Sequence, residues 1–117
     1  MSRVDSQVGH DTSELFGELG RLSQRYSVPI TVVLIPNREQ LFGSGGYALQ
    51  DTLVPVARSN GLDVFDARAA FDSVADKRTL LLPDQHFNAL GNRLLFTALL
   101  CHLNATCART PAFGLTQ

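Results

Sequence analysis

The sequence predicts an α/β fold with a short parallel sheet, and three observations carry that expectation. The run Ile30-Thr31-Val32-Val33-Leu34-Ile35 is β-branched and shows no polar alternation, which suits a strand covered on both faces. Segments of helical periodicity lie before and after it. The resulting order, helix, strand, helix, strand, short helix, extended run, helix, favours parallel strands covered by helices on both sides. At 117 residues, 44% hydrophobic and 18% charged, the chain has the balance of one globular domain with one core.

Taken in order, residues 1–12 are polar and aperiodic and read as a loose lead-in. Leu15, Phe16, Leu19, Leu22 and Tyr26 then share a helical face, with Thr12 or Ser13 placed to cap its start. Pro29 and Pro36 bracket the first strand. Residues 37–46 read as a connecting loop, because Gly43-Ser44-Gly45-Gly46 sustains neither regular structure easily. Over residues 47–60, Leu49, Leu53, Val56 and Ala57 form a second helical face; Pro55 should bend this helix or mark a late start, and Gly61 is a natural stop. A short strand over 62–65 ends at Asp66. One or two helical turns follow within 67–73, then the apolar Thr79-Leu80-Leu81-Leu82, which Pro83 stops. Asn88 is placed to cap a last helix whose buried stripe is Leu90, Leu94, Leu95, Ala98 and Leu99, fraying beyond Leu103. The working division is therefore 1–12 lead-in, 13–103 domain and 104–117 irregular tail. So narrow a sheet leaves an edge with unpaired backbone groups, a possible route to homo-oligomers.

Ten basic and eleven acidic side chains leave a net charge of −1, so no summed field favours nucleic acid or an anionic membrane. No apolar run approaches the ~20 residues of a bilayer span, and no basic segment followed by a hydrophobic stretch opens the chain, so neither an export signal nor an anchor is expected in it. Cys101 and Cys107 lack the paired spacing of a zinc or redox motif and read as structural, with a tail-pinning disulfide as the alternative. No paired-His motif calls for a metal, and no cofactor is expected.

The chemistry concentrates in Leu82-Pro83-Asp84-Gln85-His86-Phe87-Asn88-Ala89-Leu90-Gly91-Asn92-Arg93. A carboxylate stands two residues before an imidazole, in a loop that leaves an extended run and leads into a helix. At that spacing Asp84 can accept from His86 Nδ1, fix the tautomer and leave Nε2 to take a proton, which is half of a serine-hydrolase relay. An Asp and a His beside a helix start are also commonly a cap and a solvated ring. His10 and His102 have no carboxylate at a helpful sequence spacing and read as ordinary residues.

This block resembles the last block of SGNH (GDSL-like) hydrolases, where the catalytic acid and base precede an Asn, a Gly and a terminal helix. Val33-Leu34-Ile35-Pro36-Asn37-Arg38-Glu39-Gln40-Leu41 resembles a strand and loop of some members, and Gly61-Leu62-Asp63-Val64-Phe65-Asp66 their next strand with its terminal Asp. The likeness covers about residues 13–103. It implies the C-terminal part of a three-layer α/β/α flavodoxin-like fold. It further implies ester hydrolysis or O-acyl transfer, often on a carbohydrate, with His86 as general base and Asp84 as its orienting partner. Relatives are often extracytoplasmic. The Asp-x-His spacing is shorter than in many members and is similar to subgroups that include polysaccharide O-acetylation enzymes.

The Gly-Asp-Ser block that holds the nucleophile is missing, as are the Gly and Asn blocks of the oxyanion hole. Ser44, in its Gly-rich loop, lacks the strand-turn-helix setting of a nucleophile elbow and reads as part of a turn. Asp66 and Asn88 are further possible cleft residues, each also placed to cap a helix. The expectation is an esterase or acyltransferase-type domain that is inactive, or nearly so, alone. The rival is a non-catalytic binding or self-association module derived from the same fold.

Overall fold

A computed structural model describes residues 3–43 and 46–104, with backbone alone at Val4 and Asp5. The chain is a small mixed α/β structure in two compact units. One comprises the described residues of 3–34 and 46–66, the other those of 35–43 and 67–104.

In the first unit, α1 (Arg3–Tyr26) leads to β1 (Thr31–Leu34), and α3 (Ala48–Ser59) leads to β2 (Asp63–Asp66). The strands are parallel, with Thr31 opposite Asp63 and Leu34 opposite Asp66. At the start of the pair the Asp63 N–H donates to Ile30 O and the Thr31 hydroxyl to Asp63 Oδ2, both at 3.0 Å. β1 is half-buried at every position and Ile35 is exposed, so the expected cover on both faces is incomplete. Phe16, Leu53, Ala57, Leu62 and Val64 form the core, with Leu19, Ile30, Val32 and Leu49 packed against it.

The lead-in reading of residues 1–12 is corrected from Arg3 onward, where α1 begins. Ser13 does not cap this helix. Its hydroxyl donates back to Gly9 O at 2.8 Å, and i,i+4 contacts of Gln7 with Asp11 and of His10 with Glu14 support the polar early turns. The expected buried face is also displaced. Phe16 is buried, but Leu15, Leu22 and Tyr26 are exposed. The face that α1 turns inward carries Gly9, Ser13, Phe16 and Gly20, all buried or half-buried. A Cβ on Gly20 would overlap Asn60 O, so glycine sets the approach of α1 to the end of α3.

α3 agrees with the expected helix and runs through Pro55. Its stop is a Schellman turn: the Gly61 N–H donates to Arg58 O, the Leu62 N–H donates to Ala57 O, and Gly61 takes a φ of 78°. Leu62, buried, supplies the accompanying apolar contact.

In the second unit, the stretch read as a loop contains the short helix α2 (Arg38–Leu41). A capping box stabilises it, with Asn37 Oδ1 accepting from the Gln40 N–H and Gln40 Oε1 from the Asn37 N–H. α4 (Arg68–Phe71) fills the expected helical turns. The extended run at 79–82 is corrected: Lys77–Leu80 is a 3-10 turn. Asp76 caps it through the Arg78 N–H and holds the Arg78 guanidinium with both carboxylate oxygens, at 3.0 and 3.1 Å. α5 (Ala89–Asn104) follows Asn88 as expected and takes in Asn104, assigned above to the tail. It buries Gly91, Leu94, Ala98 and Cys101, whereas Leu90 is exposed. Phe71 and Leu80 are the largest fully buried side chains. Cys107 and the rest of the tail lie outside the described residues.

Candidate functional site

The segment between the 3-10 turn and α5 is a tight hairpin. The Gln85 N–H donates to Leu82 O at 3.0 Å and the Leu82 N–H donates to His86 O at 2.7 Å, which encloses Pro83, Asp84 and Gln85 as a three-residue loop. Pro83 presets the first loop residue, and Gln85 takes the left-handed conformation that closes such loops, with φ 76°. Below the loop, Leu81 pairs with Phe87 in an antiparallel bridge. Alternation along the strand then separates neighbouring side chains. Phe87 stacks on buried Phe71, with ring centroids 5.2 Å apart, while His86 stays exposed.

At the tip the Asp84 carboxylate makes two contacts with His86. Oδ1 accepts from the His86 backbone N–H at 3.2 Å, an Asx-type turn. Oδ2 lies 3.2 Å from His86 Nδ1. Both side chains are largely in water, 67% exposed for Asp84 and 81% for His86. The backbone N–H of His86, and after it the ring, holds the Asp84 carboxyl below its ordinary value. With Nδ1 engaged, Nε2 is the nitrogen left to exchange a proton with a hydroxyl presented to it.

Asn88 ties the hairpin to both neighbouring elements. Its Oδ1 accepts from the Gly91 N–H at 3.0 Å, which caps α5, and its Nδ2 donates to Thr79 O at 2.7 Å. Its N–H donates to Leu80 O. The cap reading of Asn88 is therefore met within this unit. Gly91 is required by the same packing, because a Cβ there would stand 2.6 Å from Leu80 O and 2.8 Å from Phe87 Cδ1.

Beside the hairpin is a concavity of about 310 Å³ lined by Pro36, Asn37, Arg38, Leu41, Leu81 and Phe87, among others. Gln85 lines it too, but Asp84 and His86 do not. Asp84 and His86 thus project from the tip of the hairpin into solvent rather than into this hollow.

Asp66 is the last residue of β2, in the other unit. Ser44 lies outside the described residues. One His–carboxylate contact was missed in the sequence: His10 Nε2 lies 3.5 Å from Glu14 Oε1. The i,i+4 spacing is visible, but it signifies a contact only on a helix, and residues 1–12 are polar and aperiodic in sequence. Among the described residues no group of three His, Cys, Asp or Glu side chains could hold a metal ion, and no helix is long and apolar enough to cross a membrane. No protein-family model, curated protein or solved structure matches the chain.

Proposed function

We propose that the Asp84–His86 hairpin is the acid–base half of an acyl-transfer site of the SGNH hydrolase type. The module would derive from the three-layer flavodoxin-like fold and act in ester hydrolysis or O-acetyl transfer on a carbohydrate-type ester. The observation that carries the reading is the 3.2 Å approach of Asp84 Oδ2 to His86 Nδ1, made by residues two apart just ahead of an Asn-capped helix. In the reaction, Nε2 takes the proton of an attacking hydroxyl as its oxygen bonds to the acyl carbon. The resulting imidazolium, stabilised by Asp84, returns that proton to the leaving alkoxide as the ester bond breaks.

The sequence contains no Gly-Asp-Ser block, so the hydroxyl must be presented to this pair from a different setting. Alone, the chain should hydrolyse p-nitrophenyl acetate slowly and without an acyl-enzyme burst. That small rate should drop toward the buffer background in His86→Ala, decline in Asp84→Asn and survive His10→Ala. A rate indifferent to His86→Ala would defeat the reading. A burst lost in Ser44→Ala would place the nucleophile within the chain and defeat the assignment of an incomplete site.

A further inference from the structure

We infer that α1 is the interface of an antiparallel homodimer. Along this helix Val8, Thr12, Leu15, Leu19, Leu22 and Tyr26 succeed one another at alternating spacings of four and three residues. That is the 3.5-residue repeat of a seam meant for another helix. Yet Val8, Leu15, Leu22 and Tyr26 are 42%, 54%, 46% and 62% exposed. The helix meets its own unit's core with a different side, through Gly9, Ser13, Phe16 and Gly20. Leu19 packs against that core at the border of the two faces. The repeat is thus held outward on a rigid, 24-residue helix of about 36 Å.

Charge selects the occupant and its direction. The positions that flank the seam, one residue before Thr12, Leu19 and Tyr26, are acidic at Asp11 and Glu18 and basic at Arg25, near the end of the helix. A second α1 laid parallel would set Asp11 and Glu18 beside the copy's Phe16 and Ser23, where neither meets an opposite charge. Laid antiparallel with the two-fold axis at the level of Gly17, it sets Asp11 beside the partner copy's Arg25, twice by symmetry. Glu18, which meets its own copy at the two-fold axis, is already neutralised by Arg21 at 2.6 Å. In the same arrangement Val8 faces Tyr26 and Leu15 faces Leu19, so large residues are layered along the seam and the helix dipoles oppose. An anionic bilayer fits less well, since the polar side of α1 carries acidic residues alongside the basic ones. The interface is isologous, as a two-fold dimer requires. It is independent of the acid–base reading, because neither Asp84 nor His86 belongs to it.

The test is sedimentation velocity of the full chain over a concentration series, with far-UV circular dichroism to follow folding. The wild-type chain should be a dimer. Leu15→Glu and Leu22→Glu, at exposed positions, should each weaken it about tenfold or more with helix content retained. Phe96→Glu, an exposed apolar site on α5, should leave it intact. Arg25→Glu should weaken the dimer, and adding Asp11→Arg to it should restore association, which only the antiparallel register explains. Should a leucine variant lose helix content, this charge pair decides the matter. A chain that stays monomeric, one that is monomeric yet sediments with anionic phospholipid vesicles, or a dimer indifferent to Arg25→Glu overturns the inference.

Discussion

Asp84 grips His86 twice, its Oδ1 on the backbone N–H and its Oδ2 on ring Nδ1, each at 3.2 Å. Because the residues are two apart, one carboxylate shapes the loop and orients the imidazole together. The shape of the turn and the direction of the ring are therefore not independent properties.

A first prediction concerns acidity. Asp84 should titrate below the ordinary value of about 3.9, since the backbone N–H and then the ring of His86 favour its charged form. A depressed carboxyl stabilises the fold above its unfolded value, and that contribution is lost as pH falls through the lower folded value. Carboxyl ¹³C titration checks this. His86→Ala should return the midpoint only part of the way, because the backbone donor remains; a midpoint at or above the ordinary value in the wild-type chain contradicts it.

Asn88→Ala should destabilise the chain by about 1–2 kcal/mol, through loss of the α5 cap and of the bond to Thr79 O. Urea unfolding measures it. Asn88→Asp should recover part of the loss, since Asp keeps the cap acceptor but cannot donate to Thr79.

Gly91→Ala should be destabilising even though alanine is the better helix former. Helix propensity gains about 1 kcal/mol, but the added methyl meets the Leu80 carbonyl at 2.6 Å and the Phe87 ring at 2.8 Å. That carbonyl is held by the Asn88 N–H, and overpacking of this kind costs about 1–3 kcal/mol. Denaturation midpoints should fall, whereas Gly43→Ala, with open space around it, should show only the strain of its positive φ.

Gln85→Gly should act in the opposite sense. A non-glycine residue in the left-handed region costs about 1–2 kcal/mol, which glycine relieves at an unfolded-state entropy cost of about 0.4–1 kcal/mol. A gain of about 0.5–1 kcal/mol in urea unfolding is expected. Equal or lower stability would show that the Gln85 contact with Pro83 O outweighs the strain.

Parts of this architecture were legible because single residues announce them. Pro29 and Pro36 bracketed β1, Gly61 ended α3, and Asn88 marked the start of α5. The Asp-x-His spacing likewise pointed to the contact that the hairpin makes. The inward face of α1 was hidden, because hydropathy favours Leu15 and Leu22 over Gly20, which permits close packing against Asn60. The 3-10 turn was hidden because Asp76 and Arg78 organise it through local polar bonds, while the apolar run suggested a strand. The hairpin was hidden because Pro83 after Leu81-Leu82 reads only as a stop, polar Gln85-His86 follow, and the closing residue is a glutamine where glycine is the usual signal.

The account rests on Asp84 directing the proton of the neutral His86 ring. Long-range ¹H–¹⁵N correlation above the titration range of the imidazole reads that directly. The expected result is a proton on Nδ1 and a bare Nε2, with the preference lost in Asp84→Asn. A ring protonated on Nε2 in the wild-type chain, or a tautomer unchanged by Asp84→Asn, would contradict it.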